Sequence, residues 1–155
     1  MGVRMKKGLL GCFVLVMIGF IFYQGTRPIS ISLQSSDYIV YKLMNLLEKV
    51  RSYHEEELYR FIHVVVRKGA HLFEYAMLGS LLYLLFKCFK QREHNCWIYA
   101  LFLVLLCATM DEFFQSFVGR TSSVRDVLID FSGGILGISV ISFITLCFEK
   151  ISIKH

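Results

Sequence analysis

"ALFLVLLCATMDEFFQSFVGR", residues 100–120, decides how this chain is read. Its first eleven residues carry no charge and read like the inside of a membrane. Asp111, Glu112 and Gln115 then follow at once, with Arg120 five residues beyond the amide. A charged side chain at the centre of a membrane helix costs roughly 2.5–3.5 kcal/mol on insertion scales. Groups placed so need partners from elsewhere in the fold.

Working outward from this stretch gives four apolar runs, at about 8–23, 67–89, 97–117 and 127–148. At 1.5 Å per residue, each of the last three covers roughly 30 Å, the thickness of a hydrocarbon core. Alternation of period two is absent, which excludes a membrane barrel. The chain has 155 residues, 55% of them hydrophobic and only one a proline, and its mean hydropathy is +0.56. The expected fold is all-α: one domain over 1–155, an integral membrane bundle of four transmembrane helices. The first span lacks a following A-x-A-like site and is expected to be an uncleaved anchor.

The net charge of +5 does not point to nucleic acid. The basic residues flank apolar runs and form no stripe, so they read as topology signals. The cysteines Cys12, Cys88, Cys96, Cys107 and Cys147 lack metal-ligand spacing. They are expected in spans or on the cytoplasmic side, as reduced thiols.

Between spans one and two lies a polar connector, residues 24–66. Ile39, Val40, Leu43, Leu46, Leu47 and Val50 recur at helical spacing, and Leu58, Phe61, Ile62 and Val65 continue the pattern. Ser35–Asp37 offers an N-cap. The pattern predicts one or two amphipathic helices on the membrane surface or over the bundle. His63 reads as an interfacial side chain and His54 as a solvated one. Trp97 and Tyr99 read as interface anchors.

Basic residues are dense before span one (Arg4, Lys6, Lys7), between spans two and three (Lys87, Lys90, Arg92) and after span four (Lys150, Lys154). This predicts a multi-pass protein of the cell membrane with both termini cytoplasmic. Three polar clusters then share the outer end: "RKGAHLFEY" (67–75), the stretch opening at Asp111, and "RDVLIDFSGG" (125–134). Arg67, His71 and Glu74 share one helical stripe, as do Lys68, His71 and Tyr75. Asp111 and Gln115 share a face, with Glu112 one turn from Gln115. Asp126 and Asp130 are one turn apart on a stripe that continues to Gly133 and Gly137, a small-xxx-small seam for close helix packing. Pairs such as Glu74 or Asp111 with Arg67 or Arg120 are expected to hold the charges.

Three chemistries fit these residues. They can form a structural network that keeps helices in register. They can form a site for a lipid or lipid-linked headgroup, with the basic rim on phosphate and the acids and Tyr75 on sugar or peptide groups. They can also form a catalytic site, acid–base or assisted by a hard divalent ion held by His71 and the carboxylates. His71 and Glu74 make an H-x-x-E without the second histidine of a zinc protease, so no metal and no cofactor is assigned.

In these clusters the chain resembles the VanZ-like membrane protein family. The family pattern has a basic pair, H-x-x-E-Y, then D-E with a Gln three residues after the Glu, F-x-P-G-R, D-x-x-x-[ND] and G-x-x-x-G. Here these are Lys68, His71, Glu74, Tyr75; Asp111, Glu112, Gln115, Phe117, Gly119, Arg120; Asp126, Asp130, Gly133 and Gly137. Two departures stand out. The loop proline is missing, because Val118 runs straight into Gly119, and Phe114 stands where many relatives have a histidine. The resemblance implies action on envelope lipids or peptidoglycan precursors at the outer membrane face, with low-level resistance to teicoplanin or other lipoglycopeptides. The expected partners are the bilayer and a lipid-linked cell-wall precursor or lipoglycopeptide. The first choice is a non-enzymatic binder. The alternatives are a membrane enzyme using Glu74, Asp111 or Glu112 as acid or base, and a structural partner of another membrane protein.

Overall fold

The computed structural model describes residues 3–27, 37–44, 55–119 and 122–152. All regular structure among them is helical. Helix α1 is Val3–Gly25, α2 comprises residues 37–44, α3 is Glu55–Cys88, α4 is Glu93–Phe117 and α5 is Val124–Ser152. Four of these, α1, α3, α4 and α5, are long and apolar enough to cross a membrane. The all-α bundle of four spans is therefore what the chain forms.

The bundle is organised around α3, which packs on α1, α4 and α5, while α4 also packs on α1 and α5. Its core comes from alternating turns: Tyr75, Leu78 and Leu82 of α3, Ala100, Val104 and Ala108 of α4, Ile138 of α5 and Ile21 of α1. Large apolar side chains also point outward, among them Leu15, Phe102 and Phe143. That exterior suits lipid, where apolar surface need not be hidden and helices associate through close packing.

The closest approach is between α3 and α5. A Cβ built on Gly137 would stand 1.9 Å from the Ala76 carbonyl oxygen, and one on Gly133 would stand 2.3 Å from that of Leu72. Backbone meets backbone there, and no side chain fits between. Ser80 Oγ donates across the seam to the Gly137 carbonyl at 3.0 Å. After α4 the Val118 amide donates to the Gln115 carbonyl at 3.2 Å. Gly119 then takes φ +75°, a left-handed ending that glycine adopts without strain.

Two features extend the sequence expectation. The helix that carries the second span begins well before Arg67. Helix α3 starts at Glu55 and runs unbroken for 34 residues, about 51 Å at 1.5 Å per residue. The last twelve residues of the connector, 55–66, are therefore the first third of helix α3, because their apolar positions continue the helical phase of the residues that follow. Helix α2 is tied to it: Asp37 Oδ1 accepts from the Tyr59 hydroxyl at 2.9 Å and lies 3.2 Å from His63 Nε2. His63 is buried, so it is a tether to α2 rather than an interfacial side chain. Ser35, Ser36 and His54, which also carried expectations, lie outside the described residues.

Candidate functional site

The bundle has two polar ends. The upper end gathers Gly25, the His71 region of α3, the last turns of α4 and the first turns of α5. The lower end holds the Cys88–Glu93 connection and the N-terminal turn of α1, where the Lys7 ammonium lies 4.5 Å from the Phe89 ring centroid.

Helical periodicity builds the upper end. Four-residue steps aim Asp126 and Asp130 of α5, and Asp111 and Gln115 of α4, at the stripe of α3 that carries Lys68, His71 and Tyr75. Between them lies a cavity of about 130 Å³. Arg67, Lys68 and His71 line it from α3, Glu112 and Gln115 from α4, and Asp126 and Asp130 from α5, with Val64 and Ile129 completing the wall. At roughly 30 Å³ per liquid water, this space equals about four waters, room for a phosphate-sized group.

Each polar residue has a distinct situation. Lys68 Nζ bonds Asp126 Oδ1 at 2.5 Å across the mouth. Gln115 Nε2 donates to Asp111 Oδ2 at 2.9 Å. Glu112 Oε2 accepts from the Ser123 amide at 2.8 Å, which ties the end of α4 to the start of α5. Glu74 Oε2 stands 3.6 Å from His71 Nδ1, longer than a hydrogen bond. Asp111, Glu112, Gln115 and Asp130 are all buried. The Tyr75 hydroxyl is fully buried and makes no hydrogen bond among the described residues. One ligand atom from each of His71, Asp111 and Asp130 lies within 4.8 Å of the others.

Among the described residues Arg67 forms no ion pair; it lines the cavity, and its neighbour Lys68 makes the bridge to α5. Arg120 lies outside the described residues. Gly133 and Gly137 sit in the α3–α5 contact, directly below Asp130.

The sequence reading missed Gly25. A Cβ built there would stand 2.0 Å from Asp111 Oδ1, so the end of α1 closes over the deepest carboxylate. Phe22, one turn earlier, meets the ring of Phe114 edge-on at 5.5 Å. Phe114 therefore belongs to an apolar lid beside the acids. A glycine ending an apolar run is the signal that could have flagged this approach.

The lower end was missed too. Lys87 Nζ lies 3.2 Å from Glu93 Oε2 and 3.1 Å from Glu149 Oε1. Glu93 Oε1 accepts from the hydroxyls of Tyr83 and Ser142. Trp97 Nε1 donates to Ser142 Oγ at 3.3 Å, so Trp97 is bound into this network. Tyr99 packs on Phe86 with centroids 5.5 Å apart. All five cysteines are free.

The profile of the family described as VanZ/LLP1 matches residues 10–145. The comparisons with curated proteins and with solved structures each found no match.

Proposed function

The chain belongs to the VanZ/LLP1 family, and from that premise we propose that it binds an anionic headgroup at the upper end of the bundle. The occupant is the phosphate-bearing head of an envelope lipid or a lipid-linked peptidoglycan precursor. In this reading the upper end faces outward, both termini are cytoplasmic, and the expected phenotype is low-level resistance to teicoplanin and related lipoglycopeptides. The protein acts by holding or organising its lipid, not by chemistry on it.

The observation that carries the reading is the cavity. Three spans line it, and it brings Arg67 and Lys68 together with carboxylates and Gln115. Cationic groups at such a mouth suit phosphate, while Glu112, Gln115 and Asp126 offer acceptors and donors to the group attached to it. The Arg67 guanidinium forms no ion pair among the described residues. It can therefore take a phosphate without breaking a bond.

The test has three arms. First, purified protein is mixed with vesicles containing a polyprenyl phosphate. Saturable binding that drops at least about tenfold in Arg67→Gln, a charge-assisted hydrogen bond's worth, supports the reading. Equal binding by the variant overturns it. Second, a single cysteine at Ser122 in a cysteine-free chain should react with an impermeant thiol reagent on intact cells; labelling only after lysis removes the outward orientation. Third, expression in a sensitive Gram-positive host should shift teicoplanin sensitivity more than vancomycin sensitivity. No change in either removes the resistance phenotype.

A further inference from the structure

The upper end is rich in carboxylates among the described residues. Five carboxylates meet there: Glu74, Asp111, Glu112, Asp126 and Asp130. Lys68 engages Asp126, and the Ser123 amide engages Glu112. Asp130 is 3% exposed, faces the cavity and has no hydrogen bond or ion pair among the described residues. An ionised carboxylate so placed inside a membrane protein calls for a counter-ion.

We propose that His71, Asp111 and Asp130 form a divalent-cation site. Their ligand atoms already lie within 4.8 Å of one another. Ligands about 2.1 Å from one ion stand roughly 3–4.2 Å apart, so shifts of a few tenths of an ångström bring all three onto it. Three helices contribute one ligand each, so the ion crosslinks α3, α4 and α5 where the glycine seam ends. Glu74 Oε2, 3.6 Å from His71 Nδ1, is placed to orient the imidazole, as carboxylates do for ligating histidines.

A second observation points to a ligand independently. The Tyr75 hydroxyl is fully buried without a hydrogen bond among the described residues, and it lies within electrostatic reach of Asp111 and Asp130. Buried tyrosine hydroxyls ordinarily find a partner. Water on a cation held by those two carboxylates supplies one. His71 and Asp130 line the cavity and Asp111 lies behind them. The ion therefore keeps open positions toward the cavity for water or a phosphate oxygen.

The donor set selects the ion. One imidazole and two carboxylates, without a thiolate, suit an oxygen-favouring ion that tolerates nitrogen, with Mn²⁺ the first fit and Zn²⁺ the competitor. Phe114 is committed to its contact with Phe22 and adds no second nitrogen. The site stands without the headgroup reading, because the metal alone is the probe.

The experiment titrates Mn²⁺ into the full chain in a neutral detergent and follows the free-ion electron paramagnetic resonance signal. One saturable Mn²⁺ per chain is expected, with spin-echo modulation from one imidazole nitrogen that vanishes in His71→Gln. Asp130→Asn should weaken binding by at least about tenfold, and Tyr75→Phe by several-fold, as losses in and around metal sites do. Glu56→Gln should change nothing. Helical circular dichroism and gel filtration check folding. Should a ligand variant fail to fold, the nitrogen modulation of the parent chain and the milder Tyr75→Phe decide. Absence of saturable binding, binding without nitrogen coupling, or undiminished binding in a folded variant overturns the site. Mn²⁺ binding without polyprenyl phosphate binding removes the headgroup reading alone, and the reverse removes the cation site alone.

Discussion

The two ends of the bundle face the same solvent problem and meet it differently. At the lower end Glu93 receives Lys87, Tyr83 and Ser142, and Lys87 reaches on to Glu149. Charges and hydroxyls there answer one another, and the connection between α3 and α4 is short enough to hold them in place. At the upper end, among the described residues, the carboxylates lining the cavity outnumber the lysine and arginine that line it. One buried acid and one buried hydroxyl lack hydrogen bonds among the described residues. A network complete in itself fixes helices in register. A network incomplete among the described residues is what the proposed ligand would complete.

The sharpest way to break this comparison is to remove what joins the ends. Gly137→Leu forces α3 and α5 apart at a point where even a Cβ lies 1.9 Å from backbone. The expected loss exceeds about 4 kcal/mol, seen as absence of a monodisperse peak on fluorescence-detected gel filtration. Gly69→Ala, with open space around it, should behave as the parent does.

Next comes Glu93→Gln, which keeps shape but removes the charge that three donors address. It should cost about 2 kcal/mol, a melting drop of roughly 4–8 °C. Asp37→Ala removes the acceptor that ties α2 to Tyr59 and His63. About 1 kcal/mol of local stability should go, read as faster amide exchange in residues 37–44 with the global melt unchanged.

The smallest effect is the most telling. Asp130→Asn is the same chemical change as Glu93→Gln, made at the other end. In the presence of chelator its stability should stay within about 0.5 kcal/mol of the parent's or rise, because a buried carboxylate without a partner among the described residues becomes a neutral amide. A loss equal to that of Glu93→Gln would make the two ends alike and remove the reason to see a binding site in one of them.

Much of this architecture is legible in the sequence. The spans are long uncharged runs, and the three upper clusters carry charge at positions where helical spacing aims it inward. His71, Asp111 and Asp130 come together as the shared depth of their clusters implies, although no spacing in the chain hints at a common ion, since the three lie on different helices. The lower network left no trace in the sequence. Lys87, Glu93, Ser142 and Glu149 are spread over three helices, and an isolated glutamate after a basic loop reads as solvated. Gly25 was equally silent, because its part is the absence of a side chain. The start of α3 was misplaced for a plainer reason. Glu55–Glu57 and Arg60 read as connector polarity, yet a helix that rises beyond the hydrocarbon carries such charges at no cost.

That extra length changes what α3 can convey. Its latch to α2 at Tyr59 and His63 sits two to three turns above His71, on one unbroken rod. A tug or a twist applied at the latch is carried by the same stiff shaft that walls the cavity. Helix α2 is thus joined, through that shaft, to the wall of the cavity.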